Sequence, residues 1–76
     1  MLKNPIQTNL INYLIICISE FASRYHIDNK SAYRFLAAHG GISFLTEHYD
    51  IEHTLSLDDA IDDLTLVCRQ NGGILQ

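Results

Sequence analysis

The sequence predicts an all-α chain, a compact bundle of four helices, two long and two short, in a single domain over residues 1–76. Three observations lead there. Apolar residues recur at three- and four-residue spacing over long stretches. An Asn-Pro pair and two Gly-Gly pairs stand where helices would start and stop. No segment shows the apolar–polar alternation of a half-buried strand. At 47% hydrophobic and 18% charged, the composition is globular, and 76 residues leave room for one core only. A core this small rarely nets more than about 3–5 kcal/mol, so a staple, a metal or a partner subunit is expected to support it.

The first helix opens at Asn4-Pro5, with Asn4 as N-cap and Pro5 in the first turn, where its missing N–H costs nothing. It runs without a breaker to about His26. Leu10, Ile11, Leu14, Cys17, Ile18, Phe21 and Tyr25 form its apolar face, and Asn12, Ser19, Glu20 and Ser23 the opposite one. Asp28 caps the second helix, which buries Ala32, Tyr33, Phe35 and Leu36 and stops at His39-Gly40-Gly41. A short third helix follows from Ile42 to about His48 and buries Phe44 and Leu45. Residues 49–56 lack helical periodicity and read as a connecting loop. Ser56-Leu57-Asp58-Asp59 starts the fourth helix with carboxylates in its first turn, which suits the helix dipole. That helix runs to about Asn71, turns Leu57, Ala60, Ile61, Leu64, Val67 and Cys68 inward, and is stopped by Gly72-Gly73. Asp58, Asp59, Asp62 and Asp63 form an acidic outer face.

Charge narrows the range of partners. The net charge is −4, and Lys3, Arg24, Lys30, Arg34 and Arg69 are all the basic side chains besides histidine. Nucleic-acid affinity rests on Lys and Arg displacing counterions, so a protein partner fits better than DNA or RNA. Residues 10–18, LINYLIICI, are too few to span a bilayer. They are poorly flanked for a secretion signal, so the cytoplasm is the expected compartment. Cys17 and Cys68 stand singly on apolar faces and read as reduced, buried thiols.

The most polar stretch is EHYDIEHT, residues 47–54. Its His48 and His53 have the spacing of some zinc ligands, but a structural zinc site would want a paired C-x-x-C as well. Five residues apart on a helix, the two rings would point about 140° away from each other. The expected role of the segment is therefore to turn a corner, with Tyr49 plugging the core while Asp50, His53 and Thr54 hydrogen-bond the local backbone. No metal and no cofactor is implied.

Taken in order, S-A-Y-R-F-L (31–36), G-G-I-S-F-L (40–45), E-H-Y-D-I-E-H-T (47–54) and an acidic helix start resemble a family of small bacterial proteins catalogued as domain of unknown function 3791. The resemblance covers most of residues 10–71, and its most specific part is the signature Tyr49, Asp50, His53 and Thr54. The chain departs from the pattern at Gly40-Gly41, where a single glycine is usual. The resemblance implies a single-domain protein whose gene often neighbours one for an ADP-ribosyltransferase-like domain in a toxin–antitoxin-like arrangement. This chain would then be the small antitoxin-like or regulatory partner.

Two enzyme readings compete with protein binding. Arg34 and His39 have the R-x4-H spacing of small helical ribonucleases of the HEPN type, where arginine steadies a phosphate and histidine moves a proton. The spacing is a weak signal, the residue after the arginine is the apolar Phe35, and the chain is acidic for that class. A metal-dependent module would use His48 and His53. The favoured reading is a binder of a protein partner or of a second copy, without nucleic acid or membrane. Tyr13, Ile16, Asp62 and Leu66 are its candidate contacts, because Ile16 and Leu66 each place an apolar side chain on a polar face.

Overall fold

The computed structural model describes residues 5–74, with side chains from residue 9 onward. The N-cap expected of Asn4 and the tail beyond Ile74 lie outside the described residues. The fold is all-α: α1 (Pro5–Tyr25), α2 (Asn29–Ala38), α3 (Gly41–Glu47), α4 (Tyr49–Glu52) and α5 (Leu57–Gln70). Four helices were expected. The fifth, α4, is a single turn inside the segment read as loop. Its sequence, YDIE, is too short to show a period, and the Glu52 N–H to His48 O bond of 2.8 Å that closes the turn leaves no trace in composition.

The helix ends follow the capping rules. Asp28 accepts a hydrogen bond from Ser31 N at 2.8 Å; the Ser31 side chain first, and then this N–H, hold the Asp28 carboxyl below its usual range. Ser56 does the same for Asp59 N at 3.1 Å. α1 stops without a glycine: His26 takes the left-handed conformation at φ 58°, and Ile27 N reaches back to Ala22 O at 3.0 Å. At the far end of α5, Gly72 supplies the same conformation at φ 85°, and Gly73 N bonds Cys68 O at 2.8 Å.

The core is formed by Cys17, Phe21 and Ala22 of α1, Ala32 and Leu36 of α2, Leu45 of α3, and Ala60, Ile61, Leu64 and Cys68 of α5, all buried. Both cysteines are free thiols there, and burial pushes both above their ordinary pKa. Arg24 of α1 clamps α5 through Asp62 Oδ1 at 2.6 Å, with Asp58 Oδ1 at 3.5 Å. Asn71 ties the ends of α2 and α5 together, donating to His39 O and Val67 O at 3.1 Å each.

Two residues expected inside are half exposed. Ile11 is uncovered because α1, about 32 Å long at 1.5 Å per residue, outruns α2, about 15 Å long. α2 lies against the C-terminal half of α1, where Asn29 bonds Ser19 and Phe35 stacks on Phe21. Tyr33 shares the outward side of α2 with Lys30 and Arg34. Asp63, expected on the outer acidic face, is half-buried and turns toward α4.

The Gly40-Gly41 pair resolves into two different tasks. Gly40 makes the turn into α3 with φ 80°. Gly41 lets α3 start against the core: a Cβ there would sit 2.9 Å from Leu36 Cδ2, 3.0 Å from Leu64 Cδ1 and 3.1 Å from Cys68 Sγ. All three neighbours are fully packed, so Gly41→Ala is expected to destabilise by about 1–3 kcal/mol despite the better helix propensity of alanine. A urea midpoint equal to or above that of the parent would refute this packing argument.

Candidate functional site

Among the described residues, the polar cluster that stands out lies where α1, α4 and α5 meet. Glu52 is the one buried residue of α4 and the one buried charged residue in the described chain, at 5% exposure. Its Oε1 has no hydrogen-bond partner, and neither does the buried hydroxyl of Tyr13. Asp63 of α5 lies close enough for one carboxyl to share a proton with the other, and Cys17 and Tyr13 of α1 complete the surroundings. Burial first, and then the carboxyl of Asp63 beside it, push Glu52 up to about 7. Burial also drives the Tyr13 hydroxyl well above its ordinary value, with the neighbouring Cys17 and the two carboxyls adding to the effect. The site thus gathers proton-holding groups and no cation.

Aromatic rings hold the corner in place. The Tyr13 ring meets Tyr49 edge-on, with centroids 5.4 Å apart, and Tyr49 stacks on His53 at 4.4 Å. His53 Nδ1 bonds Tyr49 O at 2.6 Å, and Thr54 Oγ1 donates to Ile51 O at 2.6 Å. Of the signature residues, Tyr49 is half-buried, His53 and Thr54 are backbone-bonded, and Asp50 is exposed in the first turn of α4. His48 packs on Phe44, with centroids 5.1 Å apart, while His53 lies on Tyr49. Among the described residues no three His, Cys, Asp or Glu side chains gather as metal ligands.

Arg34 is exposed. His39 packs on Phe35 with centroids 4.7 Å apart, and its Nδ1 lies 3.3 Å from Asn71 O, so its ring is engaged in joining α2 to α5. Ile16 and Leu66 each keep half their surface free, Asp62 is paired with Arg24, and Tyr13 is built into the polar cluster. A shallow, open pocket lies elsewhere, among Phe21, Tyr25, Phe35, Thr65, Arg69 and Gly73. Its cavity volume is about 20 Å³, room for little more than a water molecule and far below the ~300–1,000 Å³ usual for small-molecule sites. No helix among the described residues is long and apolar enough to cross a membrane.

Sequence reasoning missed the pairing of Glu52 with Asp63. A signal was present: Asp63 follows Ala60 by three residues and precedes Val67 by four, so it borders the inward face of α5. Without α4 as a helix, nothing placed Glu52 against it.

No curated protein and no solved structure matches the chain. A family model does: the one described as "Protein of unknown function (DUF3791)" matches residues 12–71, from the first half of α1 to the C-cap of α5. That span takes in α2 to α5 whole, with the polar cluster and the Tyr49–Thr54 corner, and the chain belongs to this family.

Proposed function

We propose that the chain is a small protein-binding module, the antitoxin-like or regulatory partner of an ADP-ribosyltransferase-like protein. The observation that supports a binding role is the exposed apolar surface of α1. Ile11, Ile15 and Ile16 each leave more than half their area in water on one helix of a 76-residue protein. Ile11 and Ile15 are one turn apart and stack along the axis, with Ile16 beside Ile15. A contiguous ridge of this kind marks an interaction surface more than scattered single residues do. Of the candidate contacts Tyr13, Ile16, Asp62 and Leu66, Ile16 belongs to this ridge, and Ile11 and Ile15 are added to the set. The partner named comes from the family resemblance, and the mode of action is occlusion, with a few buried anchors supplying most of the affinity.

Co-expression with an ADP-ribosyltransferase-like protein of the kind the family resemblance implies, taken from the neighbouring genes, followed by purification through a tag on that protein, tests the proposal. The two are expected to purify together. Ile15→Asp and Ile16→Asp are expected to weaken binding more than tenfold, the scale of one anchor residue. Surface substitutions of this kind change stability by only about 0.5 kcal/mol, so the folded content should match the parent. Separate elution, or equal affinity of both variants, would exclude the proposed surface. Self-association lost on the same substitutions would assign the ridge to a second copy instead.

A further inference from the structure

We propose that Glu52 and Asp63 share one proton where α4 rests on α1 and α5, and that loss of this proton releases α4, making the corner a proton-operated latch. The geometry supplies the argument. α4 is one turn long, and Glu52 is its only buried side chain, so the group that anchors the element is also the one that titrates. The groups facing that carboxyl offer it no counter-charge. From α5 comes the carboxyl of Asp63, which repels an anion. From α1 come the Tyr13 hydroxyl and the Cys17 thiol, both held neutral by burial. At the α3 end, Glu47 and His48 are exposed, and the His48 ring lies on Phe44. On α4 itself Asp50 faces solvent, while Tyr49 packs on Tyr13.

Two carboxylates in this setting cannot both ionise without a large penalty, so one keeps its proton while the corner is closed. When the proton leaves, the least costly relief is local. Swinging one turn outward returns Glu52 to water, while the remaining core of α1, α2, α3 and α5 stays packed. The movement uncovers the Cys17 thiol and the edge of Tyr13. It would also shift Ile51 and Leu55, which flank Glu52 and are already exposed. The range in which Glu52 titrates, near 7, places the latch within reach of ordinary changes in cellular pH.

Amide hydrogen exchange of the full chain tests the latch. The amides that close the corner, those of Ile51, Glu52, His53, Thr54 and Leu55, are the reporters. After correction for the intrinsic rate, their protection is expected to fall about tenfold between pH 6 and pH 8, the linkage for a carboxyl that titrates near 7 when closed and in its ordinary range when open. At every pH it should stay below the protection of the Leu64 and Cys68 amides. Glu52→Gln should remove the pH dependence. Asp63→Asn, which takes away the like charge, should move the titration of the Glu52 side-chain carboxyl, read by carbon NMR, down toward the ordinary glutamate range. The Asp63→Asn variant and the titration of the parent decide the matter even where Glu52→Gln fails to fold. A parent Glu52 that titrates like a free glutamate, or corner amides as protected as the core, would overturn the proposal.

Discussion

Replacing Phe21 with alanine is expected to leave the chain largely unfolded at room temperature. Phe21 is buried at 1% exposure and touches both neighbouring layers, tilted against Tyr25 with centroids 4.7 Å apart and stacked on Phe35 at 5.8 Å. Removing a buried phenyl ring typically costs about 3–5 kcal/mol. The whole of a core this size nets about the same. Collapse around the deletion is limited here, because Tyr25 is anchored to Thr65 by a 2.9 Å hydrogen bond and Phe35 is held by the His39 ring. Circular dichroism and a urea titration read the outcome. Phe21→Leu, which keeps most of the volume, should still unfold cooperatively. An alanine variant with a transition within about 1 kcal/mol of the parent would show that stability comes from elsewhere, a bound partner being the first alternative.

Phe21 also illustrates what the sequence could reveal. Its place follows from spacing alone, as do those of Cys17, Leu36, Leu45, Leu64 and Cys68, because a buried stripe repeats with the helix. The caps at Asp28 and Ser56 and the stops at Gly40 and Gly72 are chemical signals read one residue at a time. Length, in contrast, is a tertiary matter. Ile11 belongs to the periodic stripe, and its exposure depends on where α2 ends against α1, which no local pattern records. Gly41 is a similar case. A second glycine in a row looks redundant until Leu36, Leu64 and Cys68 close around it.

The polar corner was legible in part. Backbone bonding by His53 and Thr54 follows from the habits of short polar side chains and of a histidine near a turn. The burial of Glu52 does not, since a charged residue is rarely hidden and nothing local marks the exception. Composition groups Asp63 with Asp58, Asp59 and Asp62, yet the four divide. Asp58 and Asp62 meet Arg24, Asp59 donates its backbone N–H to the Ser56 hydroxyl, and Asp63 turns to Glu52. A run of like charges on a helix is thus no guide to a common role when neighbouring elements approach from different sides.

That division sets up the second large effect, a stability that falls as pH rises toward neutrality. In the unfolded chain Glu52 titrates near its ordinary 4.5, and in the folded chain it does so at about 7. Between those values the folded state holds a proton that the unfolded state has released, so alkali favours unfolding. The contribution is fully present below about pH 4.5, declines through the window, and is gone above about pH 7. Two and a half pH units of linkage set an upper bound of about 3–4 kcal/mol; coupling to Asp63, itself half-buried, reduces the expected loss to about 2 kcal/mol. Asp28, whose folded carboxyl lies below its usual range, acts in the opposite sense, but only in more acid solution. Glu52→Gln keeps the shape, cannot ionise, and presents an amide donor to Asp63. Its urea midpoint should therefore be nearly flat from pH 5 to pH 8 and exceed that of the parent at pH 8 by an amount equivalent to about 1–2 kcal/mol. A parent midpoint that rises across this window would show that Glu52 ionises freely in the folded chain, and that the corner is held by Tyr13, Tyr49 and His53 without help from a proton.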